Sequence, residues 1–201
     1  MLLVFLPVSL LAQESILVRY VIDGDTIILK SGEKVRYIGI DTPEIDHENK
    51  RDEPLGYAAR NFNKKRVGAK GIRLEFDREK HDYFGRQLAY VFLLDNTFVN
   101  LELLQSGLAT YLHKPPNLKY AEKFLQAQRK AMSDGKGVWQ AWSERDQSYV
   151  GNRKSKRFHL PGCRFGRKTA SGNRVEFSRQ WDAFWQGYSP CKKCLKKKKA
   201  L

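Results

Sequence analysis

The sequence predicts an α+β fold built on a small β-barrel, followed by a second and smaller α+β unit. Three observations predict it. Residues 16–22, 26–29 and 34–40 are rich in Ile, Val, Leu and Tyr with turn residues between them, the pattern of a three-stranded meander. Two more runs of this kind, 72–76 and 87–94, follow a charged segment and a helix-like stretch. Beyond residue 156 the chain turns aromatic and basic and carries all 3 of its cysteines, in a stretch too short for a core alone to suffice.

In chain order, residues 1–12 read MLLVFLPVSLLA. The segment is too short to cross a bilayer as a helix. It resembles a secretory signal with cleavage after Ala12, which implies a secreted or periplasmic protein; a buried strand is the competing reading. The main domain is expected over 13–142. Residues 44–54 are charged and non-periodic, hence an exposed loop. A helix is predicted over 56–67, with Tyr57, Ala58, Ala59 and Phe62 packed and Lys64, Lys65 and Arg66 in water. Residues 72–76 alternate and predict a half-buried strand. After the strand at 87–94, Asp95-Asn96 turns the chain towards 97–99.

Asn100 is the expected N-cap of a helix over 101–106 that stops at Gly107. Asn117 is expected to cap a longer helix presenting Ala121, Phe124, Leu125 and Met132 on one face and ended by 134–137. Five strands and about three helices suit an OB-fold barrel, which binds oligonucleotides on one face. Residues 143–156 are polar and non-periodic and read as a linker. The second unit spans 157–195, with Phe158, Phe165, Val175, Phe177, Trp181, Phe184, Trp185 and Tyr188 as core candidates. A basic tail, 196–201, follows.

Among 201 residues, 37 Lys+Arg against 22 Asp+Glu give a net charge of +15, and 41% hydrophobic content excludes a disordered chain. The surplus favours polyanionic partners, nucleic acid first and an anionic membrane second. Within this basic chain two acidic turns stand out, Asp23-Gly24-Asp25-Thr26 and Ile40-Asp41-Thr42-Pro43-Glu44. If the flanking runs pair, both turns meet at one end of a sheet. Carboxylates brought together repel, and a hard divalent cation relieves them while gaining oxygen ligands. Asp25 and Asp41 are the candidate metal carboxylates, and Glu44 is free to reach a water. Arg36 and Arg86 suit phosphate oxygens, which guanidinium forks bind bidentately. The competing reading is ordinary turns and surface ion pairs.

The second unit carries His159 and Cys163 as H-x-x-x-C, and Cys191 and Cys194 as C-x-x-C. These four suit one tetrahedral Zn²⁺, which would also supply stability to a unit of this size. A disulfide with one spare thiol is the alternative.

Val21-Ile22-Asp23-Gly24-Asp25-Thr26, Val35-Arg36-Tyr37-Ile38-Gly39-Ile40-Asp41-Thr42-Pro43-Glu44, Phe84-Gly85-Arg86-Gln87-Leu88-Ala89-Tyr90 and Val99-Asn100 with Leu104-Gln105-Ser106-Gly107-Leu108-Ala109 resemble the staphylococcal (micrococcal) nuclease or thermonuclease family. The resemblance covers about 16–142. It implies an OB-fold endonuclease that needs Ca²⁺ and cuts DNA and RNA to 3′-phosphate products, with no obligate protein partner and as a monomer. By that resemblance Asp25, Asp41 and the Thr42 carbonyl hold the metal, Glu44 is the general base, and Arg36 and Arg86 bind the phosphate. Tyr83, Phe84 and Tyr111 fall at substrate-stacking positions, with Phe84 where a tyrosine is usual and His113 in place of another aromatic. The stretch around Asn173-Arg174-Val175-Glu176-Phe177, Ala183 and Gly187-Tyr188-Ser189-Pro190-Cys191-Lys192-Lys193-Cys194 resembles the metal-binding module of the Ada DNA-repair protein, with His159 replacing one of four cysteines. Two other functions fit the same residues. One is a non-catalytic nucleic-acid-binding protein using the nuclease fold as a scaffold; the other is methyl transfer at a reactive thiolate.

Overall fold

The three apolar runs at the start of the chain form β1 (Ile16–Val21), β2 (Thr26–Leu29) and β3 (Lys34–Tyr37) in a computed structural model that describes residues 15–45, 52–68, 71–144 and 147–195. The signal-like segment, the middle of the charged loop and the lysine tail lie outside these residues. β1 and β2 pair antiparallel with a bulge between Val18 and Tyr20, and β2 pairs antiparallel with β3. The chain then forms α1 (Gly56–Val67), β5 (Gly71–Glu75) and β6 (Gln87–Leu93), with β4 (Ile40–Asp41) ahead of them. β6 runs parallel to β3 and antiparallel to β5, and β5 returns to β1. The sheet closes as β1-β2-β3-β6-β5, the five-stranded barrel of an OB fold. Val35, Ile27, Ile72 and Val91 fill it completely buried.

The packed face of α1 differs from the expected one. Ala59, Asn63 and Val67, spaced four apart, are the buried stripe, while Tyr57 is exposed. Lys64, Lys65 and Arg66 occupy its last turn, where cations favour the helix dipole. The run 34–40 is not one strand. Gly39 takes φ 77° with Phe124 where a Cβ would stand, and the chain turns there before β4. β4 pairs with β7 (Thr110–Tyr111) as Ile40↔Tyr111 and Asp41↔Thr110.

Two expected caps do other work. Asn100 lies inside α2 (Val99–Gln105), whose N-cap position is Phe98. Its fully buried amide accepts from the Val91 N–H (2.9 Å) and donates to the Ile38 carbonyl (2.9 Å). It thus joins β6 to the end of β3. Asn117 precedes α3 (Ala121–Ser133) by four positions and pairs instead with the Glu79 backbone through both N–H and C=O. Residues 97–99 do not form a strand: the Thr97 carbonyl accepts the Leu93 N–H (2.9 Å), Phe98 bridges Phe92, and Val99 begins α2.

A second sheet follows from β8 (Tyr149–Asn152), β9 (Arg157–His159), β10 (Arg174–Phe177) and β11 (Ser189–Pro190), in the order β10-β8-β9-β11. α4 (Arg164–Arg167) and α5 (Gln180–Trp185) complete the unit. Residues 143–156, read as a linker, therefore contain a strand: Tyr149 and Val150 are buried in the ladder with β9 and β10. Of the expected core aromatics, Phe165 and Trp185 are exposed, while Phe158, Phe177, Phe184 and Tyr188 are buried. Their cluster is completed by Ala131, Met132 and Trp139 from the preceding helical region. The buried Gln128 accepts from the Tyr111 N–H (2.6 Å) and donates to the Phe184 carbonyl (2.7 Å), tying α3, β7 and α5 together. Among the described residues no helix is long and apolar enough to cross a membrane.

Replacing Asn100 by alanine leaves the Val91 N–H and the Ile38 carbonyl buried without partners. Urea unfolding of Asn100→Ala should show a loss of about 2–4 kcal/mol with an unchanged m-value.

Candidate active site and metal centre

The turn between β1 and β2 carries Asp23, Gly24 and Asp25. The Asp23 carboxylate accepts the Asp25 N–H (2.9 Å), which sets the turn. A Cβ on Gly24 would lie 2.7 Å from Thr42 and from Ala59, so only glycine lets this turn close against the strand end at Thr42. Asn63 of α1 holds the turn from the other side: it donates to the Asp23 carbonyl (3.3 Å) and accepts from the Tyr37 hydroxyl (2.9 Å).

These constraints bring the two acidic turns together. Arg36 Nη1 stands 2.8 Å from Asp25 Oδ2 as an ion pair while donating to the Tyr37 carbonyl (3.1 Å), and Nη2 donates to Asp41 Oδ1 (2.8 Å). Asp25 also accepts the Thr42 N–H (2.8 Å) and the Thr26 hydroxyl (3.1 Å). Asp41 is placed by the β4–β7 ladder. Glu44 follows it on the same rim with an exposed side chain, beside Asp41 at the Lys192 ammonium. Burial pushes the Asp25 carboxyl up to about 7, with the charges of Asp23 and Asp41 adding to it against the opposing pull of Arg36. Burial alone would lower the Arg36 guanidinium, yet Asp25 and Asp41 hold it above its usual range. One guanidinium serves two carboxylates and neutralises neither fully.

Arg86 stands apart from this pair. The Asp82 carboxylate takes its Nε (2.8 Å) and Nη2 (2.7 Å). Asp82 also accepts the Phe84 and Arg86 N–H groups, folding the turn that Gly85 completes at φ 75°. Arg36 lines a cavity with Gly39, Glu79, Asp82, Lys114 and Asn117; Asp82, the partner of Arg86, borders it, whereas Arg86 itself is not part of its lining. At the turn's tip Tyr83 and Phe84 are 98% and 79% exposed and meet edge-to-face. Tyr111 differs from the expectation that it faces substrate. It is buried, its hydroxyl pairs with His113 Nδ1 (3.1 Å), and Gly187 of the second unit lies against its ring. The Ser189 hydroxyl bonds its carbonyl (2.9 Å). Docking of the second unit over β7 removes this ring from the surface.

His159 and Cys163 on one side and Cys191 and Cys194 on the other bring their ligand atoms within 4.8 Å of one another. All three cysteines are free thiols. His159 Nδ1 lies 3.6 Å from Cys163 Sγ. An edge of a tetrahedron around Zn–S bonds is about 3.8 Å, so the four donors fit one Zn²⁺. Burial and Arg157 keep the His159 imidazole below its usual value and hence neutral, the form that ligates. Burial acts to raise the Cys163 thiol, but backbone N–H groups of Gly166 and Phe165 bring it below the ordinary range. Cys194, half-buried, is pushed up to about 12 by burial.

Sequence reasoning assigned no role to Lys192, whose ammonium stands 3.3 Å from Asp41 Oδ1 and 3.1 Å from Glu44 Oε1. It missed Asp82 as the partner of Arg86 as well. The Asp-x-x-x-Arg spacing was a signal for the second; nothing in one dimension links position 192 to position 41.

The shift on Asp25 sets a pH dependence for the protein without divalent ions. Its folded value of about 7 lies above the ordinary 3.8, so the folded protein keeps a proton that the unfolded chain releases in between. The Asp25 contribution is therefore fully present near pH 4 and is lost as pH rises through 7. In chelator, the melting temperature of the native protein should fall between about pH 5 and about pH 8 by more than that of Asp25→Asn. Parallel melting curves for the two proteins would refute the shift.

The profile of the family described as Staphylococcal nuclease homologue matches residues 34–141. The Thermonuclease of Staphylococcus intermedius is 48% identical over 130 residues, covering 63% of this chain and 77% of that protein. Endonuclease YncB of Bacillus subtilis (strain 168) is 39% identical over 138 residues, covering 66% of this chain and 62% of its own. Endonuclease YhcR of the same organism is 31% identical over 195 residues, and that match covers 84% of this chain and 16% of that protein. The chain belongs to the staphylococcal nuclease homologue family.

Proposed function

We propose that this nuclease hydrolyses phosphodiester bonds of DNA and RNA in a calcium-dependent reaction that leaves 3′-phosphate products. The observation that carries the reading is the pair Asp25 and Asp41 shared by Arg36, with Glu44 on the same rim. The donor set is all oxygen, and its carboxylates carry more negative charge than Arg36 alone balances, which suits a hard divalent ion such as Ca²⁺. Asp25, Asp41 and the Thr42 carbonyl would hold it. Calcium bound there supplies a Lewis acid for a phosphate oxygen. Glu44 accepts a proton from the attacking water. As the water oxygen bonds to phosphorus, the bond to the 5′-oxygen breaks with its electron pair on that oxygen, which takes a proton from solvent; Glu44 returns its own proton to solvent, and a 3′-phosphate and a 5′-hydroxyl are left. Arg36 and Arg86 bind the equatorial oxygens, with Arg86 nearer the leaving oxygen. Tyr83 and Phe84, both exposed, offer faces on which bases stack.

His159, Cys163, Cys191 and Cys194 form a structural Zn²⁺ site in a module similar to that of the Ada protein, spanning 157–195 after a nuclease domain over 13–142. Three buried or half-buried thiols fit a staple better than an exposed methyl acceptor. The signal-like residues 1–12 support secretion or export.

End-group analysis of cleaved single-stranded DNA should find phosphate on the 3′ side with calcium and no cleavage in chelator. Glu44→Ala and Arg86→Ala should each lower turnover by on the order of 10²-fold or more. Near-normal turnover in either variant refutes its role. Elemental analysis of gently purified protein should find zinc, and its absence removes the structural ion.

A further inference from the structure

The turn Cys191-Lys192-Lys193-Cys194 is fixed on both sides. Cys191 donates its N–H to the Phe158 carbonyl (2.9 Å), and its own carbonyl accepts from Cys194 (3.2 Å) and Leu195 (2.9 Å). Just before it, β11 lies parallel to β9, and Arg157 bonds the Pro190 carbonyl (3.2 Å). A turn so held, with both flanking thiols aimed at one centre, sets where Lys192 starts. Its side chain crosses to the other unit and places Nζ on Asp41 Oδ1 and Glu44 Oε1, residues 151 and 148 positions away. Asp41 Oδ1 is the same oxygen that accepts from Arg36. The two cations differ in freedom. Arg36 is buried and tied to Asp25 as well, whereas the Lys192 side chain is 58% exposed and can swing.

We propose that Lys192 is a third cation of the phosphodiester site, delivered by the metal turn. Without a divalent ion its ammonium is the counter-charge that holds Asp41 and Glu44. A divalent ion at Asp41 repels it, and the nearest strong acceptor left to it is a substrate phosphate oxygen. The C-terminal module then supplies part of the active site. This inference rests on the calcium reading above.

Calorimetric calcium titration without nucleic acid tests the first half. Lys192→Gln should bind calcium roughly three- to tenfold more tightly than the native protein, and Lys192→Arg close to it. Lys193→Gln removes the same net charge from the adjacent exposed position and should match the native protein. Fluorescence anisotropy with a labelled phosphorothioate single-stranded DNA tests the second half. With calcium, Lys192→Gln should bind it roughly three- to tenfold more weakly than Lys193→Gln. Lys192→Gln indistinguishable from Lys193→Gln in both experiments overturns the proposal, and a change in calcium affinity alone overturns its phosphate half. Asp41→Asn separates this failure from that of the underlying reading. Calcium heat that survives Asp41→Asn refutes the metal assignment, whereas calcium heat lost in Asp41→Asn but identical in Lys192→Gln refutes Lys192 alone.

Discussion

The structure depends on one guanidinium placed between two carboxylates. Arg36 on β3 meets Asp25 from the turn after β1 and Asp41 from β4 at 2.8 Å each. Bringing those turns so close requires Gly24, because any side chain there would strike Thr42 and Ala59. It also requires α1, whose Asn63 links the Asp23 carbonyl to the Tyr37 hydroxyl. The two-residue β4–β7 ladder supplies the third support, since the Thr110 hydroxyl bonds the Asp41 carbonyl (3.3 Å). Burial raises Asp25, the charges of Asp23 and Asp41 add to it, and the acidity that Arg36 leaves unbalanced on Asp41 and Glu44 draws in Lys192. A group of charges this costly to gather is held by rigid elements and not by its own attraction.

The barrel was legible because its strands alternate or run apolar between turn residues, and four of its five strands were placed within a residue of their ends, the long third run being the exception. That run misled because Val35 to Ile40 is continuous in composition while Gly39 breaks the backbone. Asparagine misled twice for one reason. Asn100 and Asn117 sit where a helix cap belongs, but an amide that can cap a helix can equally satisfy a distant stretch of backbone, and only the tertiary fold decides. The acidic turns, Arg36 and the four metal-type ligands were legible as residue types at telling spacings. The burial of Tyr111 was not, because the surface that covers it comes from Gly187 and Ser189, far along the chain. The same distance hid Lys192.

The second unit solves its size problem by sharing. α3 turns Phe124 and Ala127 to the barrel core and, one turn further, Ala131 and Met132 to the second core. Gln128 lies between them, completely buried, and its amide is satisfied from both sides. Buried polar groups with both partners in place fix orientation more than they add stability, since apolar contacts alone tolerate sliding.

A net charge of +15 surrounding an acidic cluster has a consequence for binding order. The surplus raises the local concentration of a polyanion near the cleft, at a strength that falls with salt. At the cluster itself the sign reverses, and bare carboxylates would repel the phosphate that the rest of the surface attracts. Only cations at Asp25, Asp41 and Glu44 remove that barrier. Arg36 is already in place, and the remaining positive charge must come either from a divalent ion or from the Lys192 turn. Because both compete for Asp41 Oδ1, the chain can offer phosphate a mobile ammonium only when another cation has taken the carboxylates. The acidity of the site therefore makes it selective for the order in which its charges arrive, and the second unit is placed to act on that order.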